Sequence, residues 1–171
     1  MITSNERVIR LSEAVPGELV RIAIRDDVLL GIVLAQDNRR TIVAALQPLP
    51  ERTTYPFHFA PSSERQVITY GRNWYMEILR TPDFWVGSPS WRYASGALRL
   101  QGGDWFLCVH PGPSDHQNSE FYYNLSTDEI VGGPGSEESA PISSWRIWRS
   151  ESDYLNQLGE PLITVDAVNM T

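Results

Sequence analysis

Val28-Leu29-Leu30-Gly31-Ile32-Val33-Leu34-Ala35 is apolar at every position. Neighbouring side chains of a strand point to opposite faces, so a run without alternation is buried on both faces and belongs in the middle of a sheet. Its flanks do alternate. Upstream, Val20, Ile22 and Ile24 interleave with Arg21, Ala23 and Arg25, and Asp26-Asp27 reads as a two-residue turn. Downstream, Asp37-Asn38 is a turn signal, and residues 41–46 return as a third strand. Residues 17–47 are therefore predicted to form an antiparallel meander.

A second unit follows the same logic. Residues 97–101 alternate, Gly102-Gly103 suits a tight turn with positive φ, and residues 104–110 alternate again. A two-residue loop pairs Leu100 with Trp105 and Leu98 with Leu107, while Arg99 opposes Phe106. A slip by one residue would destroy that apolar match. Residues 120–125 supply the third strand of this unit. Between the units, residues 67–70 and 74–79 read as strands on either side of Gly71-Arg72-Asn73. Residues 55–60, fenced by Pro56 and Pro61, read as an edge strand or loop. Near the end, residues 145–149 alternate. Ser150-Glu151-Ser152-Asp153 opens a short helix carrying Leu155 and Leu158, with Gly159 as its stop, and a last strand covers residues 162–165. Two long polar stretches, 111–119 and 132–141, read as loops.

The expected fold is thus mainly β: an antiparallel β-barrel or two-sheet sandwich of about eight to ten strands, with one short helix near 150–158. The 171 residues are read as a single β-rich domain, with a two-lobed arrangement dividing near residue 61 as the alternative. Pro16-Gly17-Glu18-Leu19-Val20-Arg21-Ile22, with Gly31-Ile32-Val33-Leu34 after it, is similar to the opening strands of SH3-like barrels, including those of MazF/PemK-type endoribonuclease toxins. The resemblance covers about thirty residues, implies a small barrel, and carries over no catalytic residue.

Composition removes several chemistries. All 14 basic residues are Arg. With no Lys, neither a Schiff-base lysine nor a Walker-type phosphate loop can exist. One cysteine excludes an internal disulfide. Against 21 Asp and Glu the net charge is −7, which opposes binding to phosphate backbones and anionic membranes. The first seven residues hold no apolar signal core, and the run at 28–35 is too short to span a bilayer. These readings predict a soluble cytoplasmic protein that requires no cofactor, does not engage a membrane and is disfavoured for nucleic acid.

Candidate sites are few. Cys108 and His110 are two apart on a strand and share a face, so a thiol activated by imidazole is one catalytic reading. His110, Asp115 and His116 bracket a loop and offer nitrogen and carboxylate metal ligands. Against both, Pro111-Gly112-Pro113-Ser114 is not a recognised ligand spacing, and a packed Cys108 with two solvated loop histidines accounts for the same residues. His58, between Phe57 and Phe59, reads as an edge histidine. Trp91-Arg92-Tyr93 and Trp145-Arg146-Ile147-Trp148-Arg149 interleave aromatic rings with guanidinium groups. Trp91, Arg92, Arg146 and Trp148 are the binding candidates if exposed; a covered Trp148 is the competing reading.

With no catalytic motif above background, the function read from the sequence is that of a non-catalytic acidic binding protein acting on a protein partner, as inhibitors, immunity proteins or adaptors do. Two alternatives stay open. One is a hydrolase or nuclease on a small barrel using Cys108, His110, Asp115 and His116. The other is a protein gripping a sugar or single-stranded nucleic acid through Trp and Arg.

Overall fold

The computed structural model describes residues 6–24, 26–36, 40–47, 56–79, 98–111, 121–132, 140–142 and 144–166. The protein is mainly β, with three antiparallel sheets and one short α-helix. The first sheet contains β1 (Arg7–Arg10), β2 (Leu19–Ile24), β3 (Asp27–Gln36), β4 (Thr41–Ala45), β5 (Phe57–Phe59) and β6 (Gln66–Gly71), in the order β1-β6-β2-β3-β4-β5. A single 3-10 turn, Leu11–Glu13, follows β1. β3 lies inside the sheet, and its residues 29–34 are all buried. The two ends of the apolar run depart from this: Ala35 is half-buried and Val28 is 60% exposed. Val28 sits beside the hairpin turn, opposite exposed Ala23, where the sheet outlasts the core. Ile24 pairs with Asp27, so Asp27 opens β3 and does not belong to the turn, where the Asp26-Asp27 reading places it. A register shift between Val33 and Ala35 lets this ten-residue strand bend while it pairs on both sides.

The sheet ends at β1 and β5, so among the described residues the barrel alternative gives way to open sheets in a sandwich-like arrangement. The meander β2-β3-β4 is formed, and the closed barrel that the SH3-like resemblance implies is not found among the described residues. β5 is an edge strand, as its flanking prolines predict, because proline has no N–H to donate to a ladder. β6 comes from beyond residue 61, so this sheet draws strands from both sides of that point.

β7 (Tyr75–Ile78) leaves the first sheet altogether. The second sheet contains β8 (Leu98–Gln101), β9 (Asp104–Val109), β10 (Phe121–Asn124), β11 (Glu129–Val131) and β12 (Ala140–Ile142), in the order β11-β10-β9-β8-β12. Leu100 pairs with Trp105, Leu98 with Leu107 and Arg99 with Phe106, the register set by the apolar match. Gly102 and Gly103 take φ of 60° and 94°, the left-handed pair that a two-residue hairpin turn demands. β12 corrects the loop reading of 132–141: its residues close the free side of β8, with Ile142 opposite Leu98. Residues 133–139, and 112–119 of the other expected loop, lie outside the described residues.

The third sheet is β14-β13-β7, built from β13 (Ser144–Trp148), β14 (Ile163–Asp166) and the departed β7; α1 (Glu151–Asn156) lies between the first two in the chain. The Ser150 side chain accepts a hydrogen bond from the Asp153 amide at 3.1 Å, the cap that the sequence announces. The chain turns left-handed at Gln157 (φ 52°), before the expected stop at Gly159. Leu155 and Leu158 are exposed, and the helix packs through Tyr154 instead. Fourteen strands among the described residues exceed the expected number because several are only three or four residues long. The three sheets meet in one core: Leu19, Ile22 and Ile32 from the first, Leu98, Leu107 and Tyr123 from the second, Trp145, Ile147 and Val165 from the third.

Candidate functional site: a cleft along β7

Cys108 and His110 share a face, as expected, but both are buried, at 3% and 5% exposure. The same face carries Arg99, also buried, with its guanidinium 5.1 Å from the centre of the Tyr122 ring. His110 and Pro56 clasp the second sheet to the first: the His58 amide donates to the His110 carbonyl at 2.9 Å, and the His110 amide donates to the Pro56 carbonyl at 2.8 Å. The His58 ring lies 4.8 Å from that of Phe121. Asp115, His116, Trp91 and Arg92 lie outside the described residues. Among the described residues no three His, Cys, Asp or Glu side chains converge as a metal site. No helix among them is long and apolar enough to cross a membrane.

Trp148 is 4% exposed, so the covered reading describes it. Trp145 and Ile147 enter the core, while Arg146 and Trp148 face the other way, where α1 and β7 meet them. The Trp148 indole N–H donates to Glu77 Oε2 at 2.9 Å, and its ring meets Tyr154 edge-on at 5.9 Å. Tyr154 in turn stacks on Tyr75, with ring centres 4.7 Å apart and planes 23° from parallel. Arg146 stays half-exposed and lies 3.8 Å from Glu77.

An open cleft runs beside these residues. Its larger lobe, about 690 Å³, is lined by Tyr75, Met76, Glu77, Ile78 and Leu79, with Trp105, Arg146 and Tyr154. The smaller lobe, about 400 Å³, shares Tyr75, Met76, Ile78 and Trp105 and continues past Trp74 to Arg72, Ser126, Asp128 and Gly17. Both volumes lie in the range of roughly 300–1,000 Å³ common for ligand pockets. A cavity resting on one face of a strand touches alternate residues. This one touches five in succession, so it lies along the strand's edge. β13 occupies the other edge of β7. The Leu79 amide donates to the Ser144 carbonyl, which fixes the alternation: Tyr75, Glu77 and Leu79 turn their main-chain groups to β13, and Met76 and Ile78 turn theirs to the cleft.

The smaller lobe is closed by a polar knot. The β10–β11 loop spans residues 125–128 and is held by Asn124, whose Oδ1 accepts from the amides of Ser126 and Thr127. The fourth loop residue, Asp128, is left-handed at φ 59°, a conformation that Asp tolerates better than most residues. Its carboxylate accepts from the Tyr123 hydroxyl at 3.0 Å and pairs with Arg72. The Trp74 indole N–H donates to the Gly17 carbonyl at 2.9 Å. One cluster thus ties the lead-in to β2, the β10–β11 loop and the β6–β7 connection together.

Burial, and after it the charge and hydrogen bond of Asp128, push the Tyr123 hydroxyl well above the ordinary tyrosine range. The folded state therefore holds this proton more tightly than the unfolded chain does. The stabilisation is fully present below about pH 10, the unfolded value, and is lost as pH rises beyond it, by up to about 1.4 kcal/mol per pH unit. With no Lys in the chain, tyrosine dominates this alkaline limb. Denaturant titrations from about pH 8 to about pH 11 are expected to show a shallower decline for Tyr123→Phe than for the parent. Tyr70, also raised chiefly by burial, retains part of the limb.

The sequence reading missed Trp74, Tyr75, Trp105 and Tyr154 as a group. The one local signal was the run Trp74-Tyr75-Met76-Glu77-Ile78-Leu79, which is too apolar for a strand with a wet face. What unites it with Trp105 and Tyr154 is tertiary. No family model, curated protein or solved structure matches the chain, so what it does has to be argued from the chemistry of this cleft.

Proposed function

We propose that this chain is a non-catalytic cytoplasmic binding protein that captures a segment of a protein partner as an added strand along the edge of β7 that no described strand covers. The observation that carries this reading is the line of five successive residues in the cleft, the four of β7 and Leu79 after them, with the Met76 and Ile78 main-chain groups turned into it. An extended guest satisfies such groups by the same ladder that β13 makes on the other side, while pockets between alternate side chains supply selectivity. Trp105 and Trp74 flank the cleft as large amphipathic surfaces, the side chains that most often anchor a protein interface. Cys108 and His110, the core of the enzymatic alternative, are buried and absent from this cleft.

A displayed library of short random peptides, selected on the full chain, tests the proposal. Selected peptides are expected to slow hydrogen exchange at the Met76 and Ile78 amides while leaving Tyr75 and Glu77, already turned to β13, little changed. Trp105→Ala is expected to weaken them about tenfold, a typical anchor effect. Failure to select any peptide overturns the reading, as does selection of peptides that protect amides elsewhere and ignore Trp105.

A further inference from the structure

Building on the strand-addition reading, we infer that the larger lobe selects guests that place a basic side chain, guanidinium or ammonium, against the Tyr75–Tyr154 ring pair and the carboxylate of Glu77. The two stacked rings both line the lobe, and the electron-rich faces of aromatic rings attract cations. Glu77 is only partly satisfied. The Trp148 indole and the Arg146 guanidinium both address Oε2, so Oε1 is left to accept a charged donor from a guest. Arg146 is the one cation lining this lobe among the described residues, and it is already held by Glu77.

The surroundings agree. Glu151, the first residue of α1, stands near Tyr75 with Glu77. The Tyr75 hydroxyl is raised first by burial and then by Tyr154, Glu151 and Glu77; the two carboxylates among these resist another negative charge there. The chain as a whole carries −7, which speeds the approach of a basic segment. A neutral apolar guest would fill the cleft but leave Oε1 without a donor.

The peptides selected on the full chain are themselves the probe. Arg or Lys is expected to be enriched at one fixed position over its frequency in the unselected library. Replacing that residue by citrulline or norleucine is expected to weaken binding about tenfold, with a smaller loss at high salt. Glu77→Gln, which keeps an acceptor for Trp148, is expected to bring the charged and neutral peptides to within about twofold of each other. If charged and neutral versions bind the parent equally, yet protect the Met76 and Ile78 amides, cation selection falls and strand addition stands. If no selected peptide protects those amides, both fall together.

Discussion

Gly17→Ala is expected to destabilise the protein by about 3 kcal/mol or more, measured as a drop in the free energy of denaturant unfolding. Two effects combine. Gly17 has φ +85°, where a Cβ costs about 1–2 kcal/mol by itself. A Cβ there would also fall 2.5 Å from Asp128 Oδ1 and 2.6 Å from Cγ, closer than such atoms approach. Asp128 cannot simply swing aside, because its carboxylate holds Tyr123 and Arg72 from a left-handed backbone. The penalty should therefore depend on Asp128. In an Asp128→Gly background, Gly17→Ala is expected to cost only about 1–2 kcal/mol, the backbone share. Equal costs in the two backgrounds would show that the contact with Asp128 is not what Gly17 protects.

Trp145→Ala is expected to cost about 3–5 kcal/mol, the largest effect of any single side-chain truncation argued from this structure. Trp145 is fully buried at the centre of the third sheet, between Ile78 on β7 and Val165 on β14. Its loss leaves a cavity that paired strands on both sides cannot collapse to fill. Trp148→Phe keeps most of the packing and removes the hydrogen bond to Glu77, for a loss of about 1–2 kcal/mol. Leu155→Ala, at a residue 68% exposed, should fall within about 0.5 kcal/mol of the parent. Thermal or urea denaturation of the three variants checks the order. A large loss at Leu155 would mean that α1 packs on its leucines and not on Tyr154.

The contrast between Trp145 and Leu155 marks where sequence reasoning reaches and where it stops. Alternation at 145–149 set which side chains share a face, and both faces behave accordingly. It did not say what lies over the outer face. Trp148 is buried because Tyr154, from a helix whose own leucines stay wet, and Glu77, from a strand distant in the chain, both reach it. Cys108 and His110 teach the same lesson in reverse. Their shared face was legible, yet their burial withdraws them from the cleft, and the residues that line it carry no motif.

The amino-acid sequence by itself determined the strands of the first meander, the register of the 98–109 hairpin, the proline-marked edge at β5, the Ser150 cap and the Arg-only, acidic charge pattern. Each of these is local: a turn, a period of two or a cap is written in residues within hydrogen-bonding reach of one another along the chain. Tertiary structure alone decided that β7 parts from β6 to join β13, that Asp128 meets Gly17, and that Trp74, Tyr75, Trp105 and Tyr154 surround one cleft. Those pairings join segments tens of residues apart, where loop closure and the competition among apolar faces for a single core choose the partner, and no local spacing records that choice.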